Sequence, residues 1–252
     1  MKGMIFAAGL GTRLKPLTDT MPKALVPVDD VPLLKIVASR LKEAGIDPLI
    51  INTHHFADQI ADYVRQEQGF GARVLLSPEP EQLLETGGGI LHARPFLEGA
   101  PFLAHNVDIL SNLDLRTFIA QARPDALSTL VVSERETNRY LLFGPDLRLV
   151  GWTDLRTGEV RSPFQNLDPK RCRKFAFAGI HLLSGRVFSV MDDFGFQGRF
   201  SIIDFYLKVA ADHPVYGFVP DGFRMLDVGK PGSLEQAHVF ANPTKSTYIC
   251  NL

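Results

Sequence analysis

Apolar and polar residues alternate along this chain in blocks of two lengths. Short apolar runs at 3–7, 48–53, 72–77, 101–106 and 126–132 read as strands. Longer amphipathic blocks separate them: 33–44 sets Leu34, Val37, Ala38 and Leu41 at helical spacing, and 56–65 does the same with Ile60 and Val64. This alternation predicts an α/β fold, a mostly parallel central sheet with helices on both faces. The later half is less regular. Residues 140–153 predict a hairpin turning at Gly144-Pro145-Asp146, residues 175–183 a strand, and residues 154–174 a polar, basic connection between them. Helices at 202–211 and 231–240 are expected to flank strands at 215–219 and 223–228, and the last ten or so residues read as a loosely held tail. No internal repeat interrupts the pattern.

Composition narrows the function classes. A chain of 252 residues that is 45% hydrophobic and 22% charged can bury a sizeable core as one domain, with or without a small appendage. Its formal net charge of -1 provides no global basic field, so neither nucleic acid nor an anionic membrane is expected as a partner, and any phosphate must be held by a local site. Cys172 and Cys250 are too few and too far apart for a zinc cluster or a disulfide framework. The apolar residues before Gly9 are too few for a signal peptide, and no later run approaches a membrane span. The expected compartment is the cytoplasm.

The local site is sought in "FAAGLGTRLKPLTDTMPKALVPV", residues 6–28, which directly follows the first predicted strand. In open α/β folds, ligands bind at the carboxyl ends of the strands. The dinucleotide pattern G-x-G-x-x-G fails, because Leu14 stands where the third glycine belongs, and no Gly-Lys-Ser/Thr follows to make a Walker loop. What remains is a run of backbone N–H groups at Gly9, Leu10, Gly11 and Thr12, with Arg13 behind it, which reads as an anion nest. Taken alone, Gly9 and Gly11 fit a tight strand-to-helix turn equally well. Pro16 and Pro22 make the segment a long ordered loop, a type usually tied to function, and Pro22 restricts the approach to Lys23.

Two strand-end carboxylates complete the set. Asp108 follows "PFLAHNV", and Asp227 ends "FRML". Singly, each reads as a helix or turn cap. Together, facing a phosphate cradle, they supply the hard oxygens that Mg²⁺ takes when it bridges phosphates. His54-His55 read as a loop or helix entry, because adjacent extended residues point to opposite faces. His105, Trp152 and Phe175 to Phe177 read as core, although part of that last strand could floor a sugar pocket. Arg161, Lys170, Arg171, Arg173 and Lys174 read as a solvated basic cluster, with one of them open to an acceptor phosphate or a partner subunit.

In this order, the glycine loop, "ETGGGI" at 85–90, Asp108, "FAFAGIHLL" at 175–183 and "LDVGKP" at 226–231 resemble the sugar-1-phosphate nucleotidyltransferases across nearly the whole chain. Within that family the Glu-Thr-Gly-Gly-Gly run is similar to that of short bacterial uridylyltransferases for N-acetylmuramic acid 1-phosphate. The resemblance implies a Rossmann-like nucleotide-diphospho-sugar transferase (glycosyltransferase-A-like) fold. It implies one domain over 1–242, with a nucleotide-binding half at about 1–133, a sugar-binding half at about 134–242, and a tail at 243–252. It also implies a reaction between a nucleoside triphosphate and a sugar-1-phosphate, in which a phosphate oxygen attacks the α-phosphorus and pyrophosphate leaves. In that scheme Arg13, Lys23 and Asp108 are catalytic, and Mg²⁺ sits on Asp108 and Asp227. Ala8, Gly9, Gly11, Thr12, Thr86, Gly87, Gly88 and Asn106 bind the nucleotide, and Gly179 contacts the sugar. A homodimer is compatible with it.

Two departures bear on specificity. Val107-Asp108 stands where many relatives have Gly-Asp, and the family's sugar-binding Glu-Lys pair has no clear counterpart between Gly151 and Lys174. A CTP-dependent enzyme for a phospho-alcohol such as phosphocholine and a silent nucleotide-sugar-binding homologue are the alternatives. Retention of all four charges, Arg13, Lys23, Asp108 and Asp227, argues against the silent version. A glycosyltransferase predicts an Asp-x-Asp motif, and the chain offers only "NVD".

Overall fold

The computed structural model describes residues 1–229, 232–234, 236 and 237. The helix expected at 231–240 falls largely outside these residues. So do Lys230, Pro231, Cys250 and the tail at 243–252.

The first half follows the strand-helix alternation closely. Strand β1 (Lys2–Phe6) leads into the glycine loop and a short hairpin of β2 (Pro27–Val28) and β3 (Val31–Pro32), followed by α1 (Leu33–Glu43), β4 (Leu49–Thr53), α2 (Ala57–Gln66) and β5 (Val74–Pro78). Then come α3 (Glu85–His92), α4 (Arg94–Leu97), β6 (Phe102–Asn106), β7 (Ile109–Ser111) and α5 (Leu115–Gln121). The second half runs β8 (Ser128–Ser133), β9 (Arg139–Phe143), β10 (Leu149–Asp154), β11 (Glu159–Arg161) and β12 (Arg173–Leu183). It continues with α6 (Val187–Asp193), α7 (Ile202–Val209), β13 (Val215–Phe218) and β14 (Met225–Asp227). The fold is mixed α/β with a large, mostly parallel central sheet, as the sequence pattern predicts.

The described chain forms two compact units. The first comprises Met1–Leu83, His105–Leu113 and the residues from Arg224 onward. Here β1 pairs in parallel with β4, Ile5 opposite Ile51, and β4 pairs in parallel with β5. Both faces of such strands are covered, so Met4, Ile5, Ile50 and Ile51 are all fully buried. Helix α1 buries the predicted stripe of Leu34, Val37, Ala38 and Leu41 together with Leu33. Each fully buried aliphatic side chain contributes roughly 1.5–3 kcal/mol, which outweighs the absence of a capping side chain at Pro32. From the same helix Arg40 reaches the carbonyls of Ser111 and Leu113, the latter at 3.0 Å. It thereby anchors β7, which pairs antiparallel with β14.

The second unit comprises Leu84–Ala104 and Asp114–Phe223 and carries the antiparallel pairs. Strand β12 is its spine, antiparallel to both β8 and β9, with β10 and β11 continuing from β9, and β13 parallel to β8. The predicted hairpin is present. Its turn closes through Gly144 N–H to Arg148 O at 2.9 Å. The 154–174 connection is not wholly loop, since Glu159–Arg161 pairs with β10 as a short edge strand. Helix α5 begins where Asp114 accepts hydrogen bonds from the N–H groups of Arg116 and Thr117, at 2.9 and 3.2 Å.

A candidate active site in the first unit and a cavity in the second

The glycine loop is a chain of tight turns rather than a helix, as its prolines require. Three short 3-10 turns, Thr12–Leu14, Leu17–Asp19 and Lys23–Leu25, occupy it. Gly11 adopts φ +65, and its carbonyl accepts hydrogen bonds from Leu14 N–H and Thr18 Oγ, both at 2.8 Å. A Cβ at Gly11 would meet Thr18 Cγ2 at 2.8 Å and Lys23 Cβ at 3.1 Å, so the left-handed turn and the packing both demand glycine. Gly9, Thr12 and Arg13 are exposed, whereas Ala8 is buried.

Behind the loop lies a polar relay that sequence reading missed. Ala7 N–H donates to Asn52 Oδ1 at 2.8 Å, and Asn52 Nδ2 donates to Glu79 Oε1 at 2.7 Å. Asn52 and Glu79 are almost completely buried. A buried carboxylate is costly unless its oxygens are engaged, so this relay fixes where the loop leaves β1. A buried polar residue at the end of an otherwise aliphatic strand, "LIINT", was the available signal.

The four predicted charges converge. Lys23 is buried except for a 9% residue, and its ammonium pairs with the Asp108 carboxylate. Asp108 stands just before β7, and its carbonyl accepts a hydrogen bond from Val228 N–H at 2.8 Å, tying it to the residue that follows Asp227. Asp227 Oδ1 accepts from Gly229 N–H at 2.9 Å. Gly229 marks the meeting point: a Cβ there would run into the Lys23 ammonium, Asp227 Oδ1 at 2.8 Å and Arg13 Nη2 at 3.0 Å. Two cations and one carboxylate thus surround one backbone position, and Asp108 joins them through its pairing with Lys23. Among the described residues no group of three or more His, Cys, Asp or Glu side chains gathers as a metal cage. Asp108 and Asp227 are hard oxygen ligands of the kind that Mg²⁺ takes alongside non-protein ligands.

Neighbouring candidates take different roles. His105 is buried, and its Nδ1 bonds the Asn106 carbonyl at 2.8 Å, which makes Nδ1–H the donor. Burial, with a smaller contribution from Arg40, pulls its pKa down to about 4, so it is a neutral core histidine, as the strand alternation suggested. Asn106 ends β6 half-buried. His54 bonds the Glu79 carbonyl through Nδ1 at 2.6 Å and His55 packs on Phe56, consistent with a helix entry.

In the second unit, the "ETGGGI" run forms helix α3. The N–H groups of Gly87 and Gly88 both donate to Phe200 O, at 3.0 and 3.1 Å, so these donors already have an acceptor within the protein. A Cβ at Gly87 would strike the Phe200 ring, and one at Gly88 the carbonyl of Gly198. Thr86 Oγ accepts from Ile202 N–H at 3.0 Å and so caps the start of α7. These glycines serve close packing, which their letters alone did not reveal.

The same unit holds a cavity of about 350 Å³ lined by Arg135, Arg139, Trp152, Arg161, Phe177 and Asp204 among others. That size lies within the usual range of small-molecule sites. Trp152, read as core from the sequence, is half-buried and lines it, with the Arg161 guanidinium 5.7 Å from its ring centre. Arg161 also pairs with Asp204 at 2.6 Å, so this member of the basic cluster is held on the cavity wall. Gly179, with φ +73, sits in a bulge of β12 where the pairing with β8 shifts between Phe177 and His181.

A mostly parallel sheet with a glycine loop after its first strand and charges at its strand ends is the setting in which open α/β folds hold phosphate-bearing ligands. The chain belongs to the nucleotidyl transferase family, which its sequence matches over residues 2–243. It is 32% identical over 234 residues to an N-acetylmuramate alpha-1-phosphate uridylyltransferase from Caulobacter vibrioides, covering 90% of this chain and 91% of that protein. It is 46% identical over 114 residues to the Neisseria meningitidis protein of the same name, covering 45% of this chain and 49% of that one. Among solved structures, the inositol-1-phosphate CTP transferase from T. maritima superimposes with a TM-score of 0.75 at 16% identity, over 95% of this chain and 94% of its own. No helix among the described residues is long and apolar enough to cross a membrane.

Proposed function

We propose that this nucleotidyltransferase joins UTP to a sugar-1-phosphate of the N-acetylmuramate type, releasing pyrophosphate, as one domain over residues 1–242 acting in the cytoplasm. The observation that carries the reading is the convergence of Arg13, Lys23 and Asp227 on Gly229, with Asp108 paired to Lys23. The Caulobacter vibrioides relative supports the choice of UTP and of the acceptor. A phosphate oxygen of the acceptor attacks the α-phosphorus, and the bond from that phosphorus to the β-phosphate oxygen breaks. The acceptor phosphate is already ionised at neutral pH, so no protein base has to take a proton.

The difficulty is bringing two polyanions together. At an effective dielectric of about 20, one pair of like unit charges at about 4 Å costs roughly 4 kcal/mol. Lys23 answers this by standing between the α-phosphate and the incoming phosphate, and Arg13 by steadying the departing pyrophosphate. Asp108 and Asp227 are the residues that would hold Mg²⁺, which when bound neutralises phosphate oxygens and fixes their geometry. Ala8, Gly9, Gly11 and Thr12 offer their backbone to the phosphates, and Thr86, Gly87, Gly88 and Asn106 border the nucleoside. With the N–H groups of Gly87 and Gly88 engaged by Phe200, base reading falls to other groups of that run. The sugar is assigned to the cavity floored by the strand of Gly179.

The test is pyrophosphate release with Mg²⁺, each common nucleoside triphosphate in turn, and a panel of sugar-1-phosphates with phosphocholine. Release that requires UTP and an amino-sugar phosphate is the expected result. Release with CTP and phosphocholine replaces the acceptor assignment, and binding without release replaces the enzyme.

A further inference from the structure

The cavity of the second unit contains a charge that the reaction itself does not use. Arg139 pairs with Asp154 at 3.4 Å and Arg161 with Asp204 at 2.6 Å. Arg135, on the connection between β8 and β9, donates through Nη2 to the carbonyl of Phe177 at 3.2 Å, and its Nε–H is buried with no acceptor. Among the described residues no carboxylate pairs with it. A guanidinium carries five donors in a planar fork that matches the two oxygens of a carboxylate, and the Nη2 bond to the Phe177 carbonyl engages only part of this fork. The Phe177 bond holds this fork on the wall of the cavity that Trp152 also lines.

We infer that Arg135 is a specificity-determining residue that reads a carboxylate on the acceptor sugar, distinct from the acceptor's 1-phosphate. The chemistry separates the two anions. The 1-phosphate must meet the α-phosphorus, and so belongs with Lys23 and Arg13. An anion in this cavity is therefore a second one, and the single cation without a carboxylate partner suits a monoanion better than a dianion. N-acetylmuramic acid carries such a group, an ether-linked lactic acid that is ionised at neutral pH, whereas N-acetylglucosamine lacks it. The inference rests on the proposed acceptor reaction and gives it a reason: the family's missing Glu-Lys pair is replaced here by an arginine suited to an acidic sugar.

The test compares N-acetylmuramic acid α-1-phosphate with N-acetylglucosamine α-1-phosphate as acceptors for the wild type, Arg135→Gln and Arg135→Lys. The first substitution is expected to raise the KM for the carboxylated acceptor by about ten- to a hundredfold, the usual scale for one charge-assisted hydrogen bond, and to shrink the preference between the acceptors by the same factor. Arg135→Lys should restore part of that preference. A preference unchanged in Arg135→Gln, or an equal loss for both acceptors, overturns the inference. If the wild type uses neither acceptor, the reaction reading fails by itself, and the site is tested by calorimetry with free N-acetylmuramic acid. Binding that Arg135→Gln abolishes upholds the carboxylate site. No binding, or binding that survives the substitution, overturns it.

Discussion

The charged cluster of the first unit and the cavity of the second are built in opposite ways. In the first unit, four charges stand on short, glycine- and proline-marked segments, and two of them, Lys23 and Asp108, neutralise each other by direct contact. In the second, the walls come from a strand connection, four strands and the start of a helix, and the charges are spread over arginines with separate partners. The first arrangement suits a ligand feature common to every substrate, the phosphate chain. The second suits what varies between substrates, because single wall residues can change without disturbing a shared turn. The difference teaches where to look for chemistry and where to look for specificity.

The largest expected effect breaks the first region. Lys23→Ala and Asp108→Asn should each lower turnover by about a hundredfold or more, the scale for losing one preorganised charge. Because the pair is largely buried, each single change also strands a charge or a polar partner, and the melting temperature should fall. The double variant Lys23→Met with Asp108→Asn should regain stability while turnover stays low. A double variant that regains turnover would remove both residues from the chemistry.

A change of similar weight is expected from acid. His105 is neutral in the folded protein, with a pKa of about 4 against an ordinary value of 6.5, so the unfolded chain binds the extra proton first. Stability from this group is complete above about pH 6.5 and declines as pH falls toward 4, by roughly 3 kcal/mol in all. Melts recorded between pH 7.5 and 4.5 should show this slope, and His105→Gln should flatten it.

The second region offers smaller effects. Gly88→Ala places a methyl against the Gly198 carbonyl, which has no side-chain freedom to retreat, and should cost about 1–3 kcal/mol in a denaturant melt despite alanine's better helix propensity. An unchanged melt would mean that this turn yields easily and that glycine is present for another reason. Trp152→Leu should raise the acceptor's KM by about tenfold, and an effect appearing mainly on the triphosphate's KM would take Trp152 out of the acceptor cavity.

The sequence carried these regions unequally, and the reason is physical. Stripes such as Leu34, Val37 and Leu41 and runs such as 48–53 record burial through period alone, so α1 and β4 were legible almost to the residue. The long loop with Gly11, Pro16 and Pro22 declared itself because its backbone demands particular residue types. Helix α3 did not, since glycine at three successive positions argues against a helix until the Phe200 carbonyl and the neighbouring turn appear beside it. Trp152 and Arg135 were equally silent. Their roles follow from strands that lie apart in the chain, and no local pattern marks a side chain as facing a cavity rather than a core. Asn52 and Glu79 stood between these cases: a polar letter at the end of an aliphatic strand hinted at a partner without naming it.

The packing of α3 against the Phe200 turn has an evolutionary consequence. A side chain at position 88 would strike the Gly198 carbonyl and is admitted only if that turn's backbone moves, whereas a Cβ at 198 meets nothing and glycine is favoured there by its left-handed φ of +63. With the acceptor in the cavity as proposed, its wall at 135, 139 or 161 is free to drift, while position 88 is held as glycine by a neighbour more than a hundred residues downstream. For anyone recombining fragments of this enzyme with a relative, the practical boundary is a pair: the segment around 85–90 and the segment around 198–202 have to be inherited from the same parent.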